Sequence, residues 1–348
     1  MKRNAFIIIA LLLLIGCGKR KHNEIPNEKF TDEIRLKTTP VKDQGTSSLC
    51  WAYAMLATIE TEHLMQGDSV NLSVDFVARA YLEEQAKRRL LLKDKGSFLK
   101  SNSNGITTRG MSSMLLDLIH IYGLQNYDAY HRKEYTNYDA LARKLNQAVL
   151  SPGSSLFSTR IKHINEMLDQ EIGYSTKQVF MYGAVYTPQE FARSVCRDDE
   201  YIAMTSFSHH PFGEKFPLEV PDNYFHNTFL NVPIDTLMQT VEKSIRKGHP
   251  VCWEGDVSED GFSFAKGIAI TDKEFMKISQ ELRQDAFETH KTTDDHCMEI
   301  VGIARDSKGK KFFICKNSWG TNNRFNGFMY LSYNYVRLKT IAVYIPVA

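Results

Sequence analysis

The chain has 348 residues, 43% hydrophobic and 24% charged, which allows a large buried core and excludes a disordered or fibrous polymer. Its 43 Lys and Arg stand against 41 Asp and Glu, and once Lys2 and Arg3 are set aside the two signs are equal, so no electrostatic feature points to nucleic acid. Six cysteines at wide, irregular spacing form neither a CxxC ligand pair nor a dense disulfide framework, and no structural metal is expected.

At the start, basic Lys2 and Arg3 precede an apolar run from Ala5 to Ile15 and then Gly16. The run is too short to span a membrane comfortably, so residues 1–16 read as a cleaved export signal. Leu14-Ile15-Gly16-Cys17 resembles the bacterial lipobox, which implies cleavage before Cys17 and lipidation there. The protein is then expected at a bacterial cell envelope, periplasmic or surface-facing, held to the membrane by acyl chains. Residues 17–38, polar and carrying Pro26, read as a tether, with the folded domain over 39–348.

Cys50 to Gln66 is rich in helix formers, with a packed face of Ala54, Met55, Ala57, Thr58 and Ile59 and a stop at Gly67. Leu72 to Leu92 and Met111 to Gly123 also predict helices, joined by a Ser/Asn/Gly-rich loop from Gly96 to Gly110. Between Asn126 and Pro233 helix signals continue at Tyr138 to Leu150 and at Thr187-Pro188-Gln189-Glu190, where Thr187 caps and Glu190 closes a capping box. A helix over Ile234 to Lys247, a strand around Pro250 to Val257 and a charged helix over Lys273 to Lys291 follow. From His296 the pattern turns to period two: CMEIVGIAR, a turn at Asp306 to Gly309, KKFFICKNS, GFMYLSYNYV with Tyr330, Tyr333 and Tyr335 as packed strand aromatics, and IAVYIPV. Helices early and antiparallel strands late predict an α+β protein of two lobes with a cleft between them.

A thiol attacks a carbonyl as thiolate, so a nucleophilic cysteine needs a nearby base and a positive local field, part of which a helix N-terminus supplies. Cys50 combines a predicted helix start with an upstream loop, Lys42 to Leu49, that offers hydrogen-bond donors. Three segments then carry a family resemblance. PVKDQGTSSLCWAYA, from Pro40 to Ala54, resembles the active-site segment of papain-like cysteine peptidases, DDHCMEIVGIA their histidine strand, and KNSWGTNNRFNGFMYL their Asn-Ser-Trp-Gly segment, in the family's chain order. Within that superfamily the bleomycin hydrolase and aminopeptidase C branch is most similar, on the long separation of Cys50 from His296 and on NLSVDFVARAYLEEQAKRR, SFSHHPFGEKFPLEVPDNY and GHPVCWEGDV.

The resemblance implies a papain-like fold, with a helical N-terminal lobe and an antiparallel, β-barrel-like C-terminal lobe, and residues 126–233 as an inserted or branch-specific region. It implies Cys50 as nucleophile, His296 as general base and then acid, Asn317 orienting the histidine under Trp319, and Gln44 with the Cys50 N–H at the oxyanion, on a peptide or unfolded-protein substrate and without a cofactor. Gly110 then meets substrate backbone, and Arg109 narrows or charges the cleft. Two departures stand out: Ser48 replaces a glycine usual before the nucleophile, and the branch's C-terminal tail, which limits it to free N-termini, is missing after IAVYIPV. An open cleft and endopeptidase action are therefore expected. The alternatives are a peptide- or partner-binding lipoprotein on a papain scaffold, or acyl transfer to an amine. Bleomycin hydrolases form rings, a homo-oligomer that nothing in this composition tests.

Elsewhere the plain readings win. His209 and His210 lack an acidic or cysteine partner at ligand spacing and read as a surface loop, Asp294 and Asp295 as a solvated pair, and Cys252, Cys297 and Cys315 as core residues of predicted strands.

Overall fold

The computed structural model describes residues 28–94, 105–131, 136–151, 156–181 and 183–347. Its helices are α1 (Cys50–Gln66), α2 (Val74–Asp94), α3 (Ser112–Tyr122), α4 (Tyr138–Leu150), α5 (Phe157–Glu171), α6 (Pro188–Val195), α7 (Ile234–Arg246), α8 (Gln280–Glu288) and α9 (Tyr333–Lys339). Its strands are β1 (Phe30–Arg35), β2 (Val179–Met181), β3 (Ala184–Tyr186), β4 (Tyr201–Thr205), β5 (Lys215–Pro217), β6 (Thr228–Asn231), β7 (Val251–Gly255), β8 (Phe262–Ser263), β9 (Ile268–Ala269), β10 (His296–Asp306), β11 (Lys311–Lys316), β12 (Phe328–Ser332) and β13 (Thr340–Pro346).

The fold is α+β and papain-like, a helical lobe of α1 to α6 set against a lobe built on one large sheet. In that sheet the order is β5-β6-β4-β13-β7-β10-β11-β12-β9-β8, with β1 also on β10. Period-two alternation sends successive side chains to opposite faces. On β7, β10 and β13 one set, Cys252, Cys297, Ala342 and Tyr344, joins the core shared with the helices. The other set, Val251, Trp253, Met298, Ile300 and Val343, packs with Leu237, Met238 and Val241 of α7. Both faces are covered, so polar positions inside these strands carry a desolvation cost and need partners.

Helix α1 runs through the seam between the lobes. It contacts α2 and α3 on one side and β7 and β10 on the other, and Trp51, Ala52, Met55, Leu56 and Ile59 are all at most 1% exposed. The buried Glu60 of this helix is met by the Thr39 hydroxyl at 2.6 Å and Lys42 Nζ at 2.7 Å, and Gly67 ends the helix in the left-handed region at φ 90°, its N–H bonded to the Leu64 carbonyl.

Several expectations change. Residues 30–35 of the expected tether form β1 and pair with β10, so the fold begins before Thr39; residues 1–16 and Cys17 to Asn27 lie outside the described residues, as does most of the loop from Gly96 to Gly110. The region 126–233, expected as inserted or branch-specific, packs into the rest of the fold: β4 hydrogen-bonds along β13, and α4 and α5 pack on α2. The sheet is antiparallel except where β4 meets β6 and β9 meets β12. Tyr333 and Tyr335 lie on α9 rather than a strand, because the Ser332 hydroxyl caps the Tyr335 N–H and starts a helix there. The charged helix is shorter than Lys273 to Lys291, since Ser279 caps it at Gln280. The capping box at Thr187 and Glu190 is formed.

Arg283 of α8 is fully buried, and burial lowers its pKa to about 9. Its fork donates to the carbonyls of Ser206, Arg337, Leu338 and Thr340 and lies over the Phe207 ring at 4.6 Å, tying α8 to the end of α9 and the start of β13. Arg283→Met leaves those carbonyls without this donor and is expected to cost about 2–4 kcal/mol in a denaturant melt. An unchanged midpoint would contradict this role.

Candidate active site

Cys50 is the first residue of α1, where the backbone N–H has no carbonyl one turn back to bond and the helix dipole favours negative charge. Cys297 and His296 are the two neighbours that lower its thiol. The Cys297 hydrogen bond, opposed by burial and reinforced by the hydrogen bond and charge of His296, holds Cys50 well below the ordinary thiol range. Burial and the neighbouring Cys50 push Cys297 the other way. The two neighbouring thiols are thus shifted in opposite directions. Burial raises Cys252 and Cys315, and raises Cys196 to about 12, so among the described cysteines only Cys50 is shifted down. All five described cysteines are free.

His296 opens β10 and is 3% exposed. Its Nε2–H donates to Asn317 Oδ1 at 2.7 Å, and the Ser318 N–H donates to the same oxygen at 2.7 Å. Two donors converging on one atom fix which end of the amide is oxygen, and they leave Nδ1 as the ring nitrogen for Cys50. Asn317 Nδ2 is buried without a partner. The Trp319 ring lies 4.5 Å from the imidazole, centroid to centroid, and is backed by Phe262 and Phe264.

Gln44 is positioned by the Ser318 segment. Its N–H donates to the Ser318 carbonyl at 2.8 Å, its Oε1 accepts from the Ser318 hydroxyl at 2.6 Å, and its Nε2 donates to the Ser47 carbonyl at 2.7 Å. One amide hydrogen then remains, on the wall of a cavity of about 150 Å³ shared with Ser47, Ser48, Cys50 and His296. The geometry therefore gathers Cys50, His296, Asn317, Gln44 and Trp319 from three separate stretches of chain.

Arg109 and Gly110 line the same cavity. A Cβ on Gly110 would come within 2.4 Å of Met114 Cε and 3.1 Å of Trp51, so only glycine lets the chain lie this close. Arg109 does not add free charge. Its Nε bonds both Asp222 oxygens at 3.0 Å, and an Nη reaches the Asp294 carbonyl at 3.5 Å, bridging the helical lobe to the sheet lobe.

Asp294 is not part of a solvated pair: its Oδ2 is buried and its carboxyl lies close enough to Glu254 for the two to repel. Cys297 is a cleft residue beside the nucleophile and not simply core. Glu254, which the sequence reading passed over, is 0% exposed and opposes Cys297 across β7 and β10. A lone carboxylate inside a strand as apolar as VCWEG was the available signal. His209 and His210 do have an acidic partner, since Glu219 meets both Nε2 atoms, at 3.2 and 2.5 Å, and these three are the trio of potential metal-ligand groups among the described residues.

Comparison with known proteins follows this geometry. Residues 171–345, half of the chain, match the Peptidase C1-like family, a stretch that includes His296 and Asn317. The chain belongs to the Peptidase C1-like family. It is 26% identical to aminopeptidase G of Lactobacillus delbrueckii subsp. lactis over 147 residues, 40% of this chain and 33% of that protein, so the match spans about a third of that relative. It is 22% identical to the mitochondrial cysteine proteinase 1 of Saccharomyces cerevisiae, across 91% of this chain and 77% of the yeast protein. Among solved structures, PepW from Lactobacillus rhamnosis superposes with a TM-score of 0.70 at 18% identity, covering 90% of this chain and 81% of that one, which establishes the shared fold. No helix of the described residues is long and apolar enough to cross a membrane.

Burial, relieved by the Tyr344 hydroxyl and reinforced by Cys50, pushes Glu254 up to about 8. A carboxyl that titrates higher folded than unfolded keeps a proton that the unfolded chain has released, so its contribution to stability is present at acid pH and declines between roughly pH 4 and 8. Glu254→Gln is expected to raise the melting temperature relative to the wild type at pH 8 and to change it little at pH 4.5. Equal effects at both pH values would contradict the assignment.

Proposed function

We propose that this chain is a cysteine peptidase that cuts peptide bonds through a thioester on Cys50. The observation that carries this reading is a thiol at a helix N-terminus that shares one cavity with a histidine pinned to Asn317 through its Nε2. His296 takes the Cys50 proton to give a thiolate–imidazolium pair and returns it to the leaving amine as general acid. Asn317 keeps the ring in register, and Trp319 keeps water off that hydrogen bond. The remaining Gln44 amide hydrogen and the Cys50 N–H donate to the oxyanion of the tetrahedral intermediate. Water then hydrolyses the thioester, with His296 as base. The relatives named aminopeptidase G and cysteine proteinase 1 support the same class of reaction. Attachment of Cys17 to a bacterial envelope membrane, and peptides or unfolded proteins as substrates there, complete the proposal.

The test is a peptide pool in free and N-acetylated forms, digested by the wild type and by Cys50→Ala, with cut sites mapped by mass spectrometry. Cleavage that falls by about a thousandfold or more in Cys50→Ala is expected. Internal cuts in both pools would establish the open cleft of an endopeptidase. Trimming of free N-termini alone would mean that the Arg109–Asp222 bridge closes one end. Cutting that survives the substitution, or no cutting by either form, would overturn the proposal in favour of a binding scaffold.

A further inference from the structure

The cleft holds more acid than the peptidase chemistry uses. Asp222, Glu254, Asp294 and Asp295 all line it, against Arg109 and His296. Asp222 is occupied by Arg109. Asp295 accepts from the Thr293 hydroxyl at 2.9 Å and shares a hydrogen bond with Asp256, which is itself paired with Lys339. Glu254 and Asp294 are left facing each other. Glu254 Oε2 accepts from the Tyr344 hydroxyl at 2.8 Å, but Glu254 Oε1 and Asp294 Oδ2 are buried with no donor. Among the described residues no ion pair reaches either carboxyl.

Two facing carboxyls in a water-poor pocket are unfavourable unless something neutralises them. Their location also matters. Glu254 opposes Cys297 in the sheet, at the strand spacing of about 5 Å, and Cys297 hydrogen-bonds the Cys50 thiol. The pair therefore sits about one strand spacing from the nucleophile, on the wall that also carries Gly110 and the bridging Arg109.

We infer that Glu254 and Asp294 form a binding site for a cationic group of the substrate, an ammonium or guanidinium placed beside the bond that Cys50 attacks. This rests on the peptidase reading for its role, though not for its detection. Such a cation supplies donors to both Glu254 Oε1 and Asp294 Oδ2, which a single shared proton cannot do. In the empty cleft burial and their mutual repulsion keep a proton on the pair, so the cation replaces that proton when it binds. The source is either a Lys or Arg side chain or the free N-terminus, since both present the same charge and hydrogen-bond donors.

The experiment measures binding to the full chain carrying Cys50→Ala, so that no cutting is needed. Three short peptides of otherwise identical sequence are titrated by calorimetry: N-acetylated with Lys ahead of the central bond, N-acetylated with norleucine there, and norleucine with a free N-terminus. Either the Lys peptide or the free N-terminal peptide is expected to bind at least about tenfold tighter than the doubly neutral one, and the tighter one identifies the source. Its binding at pH 7 is expected to release protons, read from the dependence of the heat on buffer ionisation. In the Glu254→Gln and Asp294→Asn backgrounds the tenfold ratio is expected to collapse toward one and the proton release to disappear, whereas loss of fold would weaken all three peptides together. Equal affinity for cationic and neutral peptides, or a ratio that survives both substitutions, would overturn the inference. If cationic peptides bind selectively and the wild type still cuts nothing, the peptidase proposal fails and this one stands.

Discussion

The packing of α1 into the seam between the helical lobe and the sheet is the constraint from which the rest follows. Cys50 is on the helix, and His296 is on the strand, β10, that the helix packs against. Neither lobe alone contains the pair, so the contact between Cys50 and His296 is as good as the fit of Trp51, Met55 and Ile59 against the surrounding core. A fully buried helix of this kind cannot slide without opening cavities, which cost about 2–5 kcal/mol for each large side chain undone. Rigid packing is thus how the fold holds a thiol and an imidazole within hydrogen-bond reach.

Around that seam the protein places polar groups where burial makes them strong. The Ser318 segment is the organiser: its N–H fixes Asn317, its hydroxyl and carbonyl fix Gln44, and Trp319 beside it covers the imidazole. One turn of chain thereby orients the group that holds the base and the group proposed to meet the oxyanion. Next to it the same burial works on carboxyls in the opposite sense, keeping Glu254 and Asp294 from ionising freely. Cys297 and His296 therefore lower the Cys50 thiol against its burial, while burial raises the acids within the same cavity.

Much of this was legible in the sequence for identifiable reasons. Helix α1 and its stop at Gly67, α4, and the capping box of α6 follow from local signals that no tertiary contact overrides. Motif order singles out Cys50, His296, Asn317 and Gln44; the structure brings Cys50, His296 and Gln44 to one cavity, with Asn317 bonded to His296 behind it. The failures are non-local. Phe30–Arg35 reads as polar tether because a strand at a sheet margin needs only a partner, which β10 supplies about 270 residues later. Tyr333 and Tyr335 alternate like a strand, and a single serine cap decides otherwise. Glu254, Asp294 and Cys297 were misjudged or missed since their meaning lies in the pairing of Glu254 with Cys297 across β7 and β10 and in the cavity that Asp294 joins, neither of which periodicity discloses.

The central claim is that Cys50 exists as a thiolate paired with His296. Its most direct test is the ultraviolet thiolate absorbance of the wild type minus that of Cys50→Ala, followed as pH is lowered through the neutral range. The account predicts a difference signal that persists well below the ordinary thiol titration near pH 8.5. A signal that disappears with the midpoint of a free thiol would contradict it.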